Sequence, residues 1–221
     1  MDELLRQLSG LALPVVLAIT MHEAAHGWVA DRLGDRTARM LGRVTLNPLR
    51  HIDPVGTVLL PLGMYALTGF MFGWAKPVPV NPRNLAKPRR DMAIVAAAGP
   101  LSNLVMALLW SVAILVGGWL HPVSEWVSGP LVYMGAAGVL INVILLVLNM
   151  VPLPPLDGGR VLVGLLPPRL ARVVSRVEPY GLFILIALLV TGLLGRLVFP
   201  FVIGLIQVLP GSRAVLEIFL T

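Results

Sequence analysis

Apolar runs of about 20 residues recur along this 221-residue chain, separated by short connections rich in basic residues, proline and glycine. That length matches the hydrocarbon core of a bilayer, where every backbone polar group must find its partner inside its own segment. The chain is therefore expected to be an all-α polytopic membrane protein. Its composition agrees: 57% of residues are apolar and 13% charged, outside the balance of a soluble domain. One membrane-embedded domain is expected over residues 1–221, with a core at about 10–165 and a C-terminal span and tail over 166–221.

The runs are 10–30, 55–72, 92–120, 131–151 and 180–194, and a tail beyond Arg196 is broken by Pro200 and Pro210. These make about five to six apolar segments, the tail being either a short extra span or an interfacial helix. Basic residues collect in 31–54 (Arg32, Arg36, Arg39, Arg43, Arg50) and in 73–91 (Lys76, Arg83, Lys87, Arg89, Arg90). Two basic connections flanking the run 55–72 conflict with a full crossing, so this run, interrupted by Pro61 and Gly63, is expected to re-enter. The connection 121–129 has no Lys or Arg and reads as the outer side, with His121 at headgroup level. The net charge of +6 thus suits anionic lipid headgroups at the cytoplasmic face of a plasma membrane. No basic stretch is interleaved with aromatics, which argues against a nucleic-acid partner.

Within the first run stands Met21-His22-Glu23-Ala24-Ala25-His26, an H-E-x-x-H motif. Histidines four apart share one helix face and can hold one metal ion, with Glu23 beside it to take a proton from water. Ionisable side chains at membrane depth cost roughly 2.5–3.5 kcal/mol each and are functional by default. There is no cysteine, so zinc would be held by nitrogen and oxygen. Loop charge brings Asp157, at the inner end of the 131–151 span, to the same depth as His22 and His26. Two imidazoles and a carboxylate leave one position open, as in catalytic sites. His51 and Asp53, between the turns at Asn47-Pro48 and Asp53-Pro54, are the competing ligands, and His51 is also a candidate to gate or brace the site.

Lys76-Pro77-Val78-Pro79-Val80-Asn81-Pro82 reads equally as an extended edge that pairs with a peptide and as a stiff polyproline-like connector. Asn103 reads as a polar packing contact.

These motifs resemble the site-2 protease family of intramembrane zinc metalloproteases. The family's H-E-x-x-H stands at His22–His26, and its N-x-x-P-x-P-x-L-D-G matches at Asn149, Pro152, Pro154, Leu156, Asp157 and Gly158. The G-P-x-x-N element Gly99–Asn103 and the stretch from Gly73 to Pro82 are also similar. The resemblance implies that His22, His26 and Asp157 bind one catalytic Zn2+, that Glu23 is the base, and that Asn149 helps hold the substrate carbonyl. It implies a small membrane-embedded β-rich segment, favouring Lys76, Pro77, Val78, Pro79 and Val80 as a substrate-binding edge. The implied activity is cleavage of transmembrane or membrane-associated proteins. The connection 121–129 is too short for the PDZ domain some members carry, and no nucleotide-binding regulatory domain is expected after the last span. The competing functions are a divalent-metal transporter, with the same three residues as a transit site, and a catalytically silent membrane chaperone.

Overall fold

The computed structural model describes residues 2–59, 62, 63, 66, 73 and 75–220. Three long helices frame it: α1 (Asp2–Arg32), α3 (Pro88–Leu120) and α4 (Glu125–Asn149). A single turn, α2 (Thr37–Met40), follows α1. Beyond α4 come α5 (Asp157–Leu165), α6 (Pro168–Ser175), α7 (Glu178–Val190), α8 (Leu193–Val208) and α9 (Ser212–Phe219).

α3 begins at Pro88, whose missing N–H costs nothing in a first turn, and the Asp91 carboxylate accepts the Lys87 N–H at 2.7 Å to cap it. Its buried stripe is mostly small: Ala93, Ala96, Gly99, Asn103, Ala107 and Ser111. Gly135 and Gly138 of α4 face it, against Ile114 and Trp110. A Cβ on Gly135 would stand 2.7 Å from Ile114 Cγ1 and 3.0 Å from its backbone nitrogen. Close backbone approach of this kind is what holds helices together where lipid removes the hydrophobic drive. The outer face of α3 exposes Leu101, Val105, Leu109, Val112 and Leu115, an apolar surface suited to acyl chains.

Two described helices, α3 and α4, are long and apolar enough to cross a membrane, or up to three if α6 and α7, bent by 59°, form one span. The expected five to six segments are thus not reached by this measure. The run 55–72 lies largely outside the described residues, and α7 with 13 residues and α8 with 16 are each short of the roughly 20 a span requires. The tail forms α8 and α9, which join the bundle rather than lying loose. Val202, Ile206 and Val215 share a core with Ala107, Ile114, Val139 and Val143.

Residues 60, 61, 64, 65 and 67–72 lie outside the described residues, and with them the expected re-entry of 55–72. The β-rich segment is corrected for the part described: no strand occurs among the described residues, and 75–81 has no regular structure. Pro77 and Pro79 offer no N–H, while Lys76 N–H is given to the His51 carbonyl at 2.9 Å and Val78 N–H to a side chain of α1.

Asp35 fixes this segment's far end. Its buried carboxylate accepts from Thr37 N–H (3.1 Å), Thr37 Oγ1 (2.5 Å), Asn81 N–H (2.6 Å) and Asn84 Nδ2 (2.8 Å). Burial pushes its pKa up, but the hydrogen bonds from Thr37, Asn84 and Asn81 outweigh that and hold it below the usual carboxylate range.

Candidate metal centre

α1, α3 and the start of α5 converge on three buried side chains. His22, His26 and Asp157 are 7%, 9% and 6% exposed. His22 Nε2 lies 3.1 Å from His26 Nε2, and Asp157 Oδ2 lies 3.1 Å from the first and 3.3 Å from the second. The helical spacing of four puts both rings on one face of α1, edge to face with centroids 4.7 Å apart. Asp157 opens α5, where the positive end of the helix dipole favours a carboxylate. The two glycines after it let the chain fold back tightly. A Cβ on Gly158 would stand 2.7 Å from the Val151 carbonyl, and one on Gly159 would overlap the Leu153–Pro154 backbone.

The protons of the two imidazoles are assigned by their other nitrogens. His26 Nδ1 faces the Val95 carbonyl at 2.8 Å, and a carbonyl only accepts, so Nδ1 carries the hydrogen. His22 Nδ1 faces Asn103 Oδ1 at 2.6 Å, with the same consequence. With both rings neutral, their Nε2 atoms present lone pairs to a carboxylate oxygen that has no hydrogen-bond donor of its own. Three acceptors facing one point at 3.1–3.3 Å repel one another unless a cation lies between them. Those edges match the roughly 3.3 Å donor separation that tetrahedral bonds of about 2.0–2.1 Å impose. Gly99 of α3 closes the cradle: a Cβ there would stand 2.6 Å from His22 Nε2 and press on His26 Nε2. The residues fit a zinc ion.

Gly99→Ala should accordingly displace a ligand nitrogen and weaken zinc binding by roughly tenfold or more. Zinc content of the purified full chain after dialysis against a chelator reads the effect, and wild-type retention in the variant would count against this site.

Glu23, next to His22 and half-buried, accepts the Val78 N–H at 2.8 Å through Oε2. The segment is steadied from behind by Arg43, which is buried and donates to the Lys76 carbonyl at 2.7 Å and the Pro77 carbonyl at 3.3 Å. Gly27 makes room on α1; a Cβ there would meet Val78 Cγ1 at 3.1 Å.

The other candidates stand apart from the trio. Among the described residues, only His22, His26 and Asp157 form a group with metal-ligand spacing. His51 is buried, with Nε2 3.0 Å from the Thr45 carbonyl, and acts through its backbone on Lys76. Asp53 spends Oδ1 on the amides of Val55 and Gly56, capping a six-residue π-helical turn. His121 is exposed beside Glu125. Asn149 ends α4 and donates Nδ2 to the Leu145 carbonyl at 2.9 Å; no hydrogen bond ties it to the trio. Sequence reasoning missed Arg43 and undervalued Asn103, whose signal was an amide inside a small-residue stripe of a span.

Residues 10–192 match the sequence model of peptidase family M50. The chain is 37% identical over 191 residues to YwhC of Bacillus subtilis, named as a zinc metalloprotease, covering 86% of this chain and 84% of that one. It is 31% identical over 188 residues to Rip2 of Mycolicibacterium smegmatis, also named as a zinc metalloprotease, covering 85% and 69%. Over 114 residues it is 33% identical to the regulator of sigma-E protease RseP of Escherichia coli, covering 48% of this chain and 25% of that one. No solved structure matches the chain.

Proposed function

This chain belongs to peptidase family M50, the site-2 protease family, and on that premise we propose that it is a zinc endopeptidase cleaving transmembrane or membrane-associated proteins within the bilayer. The observation that carries the proposal is the convergence of His22 Nε2, His26 Nε2 and Asp157 Oδ2 within 3.1–3.3 Å, with Glu23 beside them. His22, His26 and Asp157 would hold the ion, which when bound would supply Lewis acidity to the scissile carbonyl and to the attacking water. Glu23 takes the proton of the attacking water and returns it to the leaving nitrogen. The Val78 amide fixes one oxygen of Glu23 and leaves the other to move the proton. Asn149 turns its amide from Leu145 to the developing oxyanion.

A substrate helix hides its carbonyls and must unwind before attack. The edge that receives it narrows to Val78–Val80, because Arg43 takes the carbonyls of Lys76 and Pro77 and His51 takes the Lys76 amide. One membrane-embedded domain in the plasma membrane, with the site near the cytoplasmic face, agrees with the basic connections at 31–54 and 73–91. Reconstituted protein and a single-span substrate in liposomes test the proposal: zinc-dependent cleavage inside the span is expected. Intact substrate accompanied by zinc flux into the liposomes would favour a transporter instead.

A further inference from the structure

Behind His22 lies a second amide that the proposed chemistry does not use. Asn142 of α4 and Asn103 of α3 are both fully buried, and Asn103 Nδ2 lies 2.9 Å from Asn142 Oδ1. Asn142 Nδ2 in turn lies 2.8 Å from the Gly138 carbonyl, one helical turn back. The direction of every bond follows from that carbonyl. Gly138 O can only accept, so Asn142 turns its NH2 towards it and its oxygen towards Asn103. Asn103 must then present its NH2 to Asn142, where the second hydrogen also reaches the Ala18 carbonyl of α1 at 3.2 Å. This leaves Asn103 Oδ1, and nothing else, for His22 Nδ1 at 2.6 Å. The His22 Nε2 lone pair is thereby aimed at Asp157 by a relay that begins on α4.

We infer that Asn142 is a positioning residue for the metal ligand His22, acting through Asn103. The inference rests on the metal-binding reading of His22, and its observation is separate from that reading: an unbroken run Gly138–Asn142–Asn103–His22 with one allowed polarity. His26 is built differently. Its Nδ1 is held directly by the Val95 backbone of α3, with no side chain between. The two imidazoles therefore differ in what can loosen them: a side-chain change on α4 reaches His22 and leaves His26 alone. In an apolar interior an amide that loses one partner has no water to replace it, so the loss is felt along the run.

The test is a double-mutant cycle on the full chain, with zinc affinity measured by chelator competition. Asn103→Leu should weaken zinc about 10–100-fold, the ordinary cost of losing an outer partner of a ligand. Asn142→Leu should weaken it less, about three- to tenfold, and should add nothing in the Asn103→Leu background. An Asn142→Leu effect below twofold, or the same fold-change in both backgrounds, would overturn the inference, the second because it marks general packing. Asn142→Ala serves where the leucine prevents folding. Nitrogen-15 spectra of the two histidine rings give the second readout: the His22 signals should move in Asn142→Leu while those of His26 stay, and an equal shift of both rings would overturn it. Failure of the metal reading looks different, since wild-type chain would then take up no zinc, and the ring spectra alone would decide the role of Asn142.

Discussion

Glu23→Gln is expected to keep its zinc ion and lose peptide cleavage by about 10²–10⁴-fold, the usual contribution of a positioned general base. The substitution preserves shape. Glutamine still accepts the Val78 N–H through its carbonyl oxygen, so the segment at 75–81 keeps its seat on α1. Glu23 lies outside the three converging donors, so nothing in the change should release the ion. What is lost is the ability to take a proton. Single-turnover cleavage of a liposome-embedded substrate, beside zinc content by mass spectrometry, separates the two effects. A Gln variant that cleaves at the wild-type rate would leave Glu23 without a role, and a zinc-free Gln variant would place it among the ligands.

Asp157→Ala should lose both zinc and cleavage. The substitution removes one of three protein donors, a larger change than loss of an outer partner, for which 10–100-fold is usual. The local fold should survive. The turn before α5 is set by Gly158 and Gly159 against the Met150–Pro154 backbone, and the Asp157 side chain takes no part in those contacts. An unchanged circular dichroism spectrum with zinc content near zero is therefore expected. Full zinc occupancy in the variant would transfer the third ligand to another residue, with His51 and Asp53 the first to examine.

Much of the centre was legible in the sequence because its parts are local. His22, Glu23 and His26 fall within five residues of one helix, where spacing alone fixes which side chains share a face. Asp157 was reachable across more than a hundred residues because loop charge assigned each span an end and because it stands in the N-x-x-P-x-P-x-L-D-G motif. The direction of the hydrogen bonds behind His22 was not legible. Asn103 stands in a stripe of alanines and glycines, and the sequence does not say whether such an amide packs or binds; its contact to His22 depends on how α3 crosses α1. Asn142 sits in an unbroken apolar run and gave no local signal at all.

The edge segment divides the same way. Three prolines in Lys76–Pro82 excluded a central strand, yet nothing local indicated that Val78 would give its amide to Glu23 or that Arg43 would hold the carbonyls behind it. In the sequence Arg43 is one charge among several in a basic connection, and its burial is a tertiary fact. At the C-terminal end the expected spans are not confirmed by helix length, because hydropathy does not mark where a helix stops. Gly192, in a left-handed turn at φ 70°, separates α7 from α8 and leaves each shorter than a crossing.

X-ray absorption at the zinc edge on the full wild-type chain tests the centre most directly. The expected spectrum has nitrogen and oxygen neighbours at about 2.0–2.1 Å with multiple scattering from two imidazoles, falling to one in His22→Ala. A zinc-free protein, or a shell with three imidazoles that persists in Asp157→Ala, would contradict it.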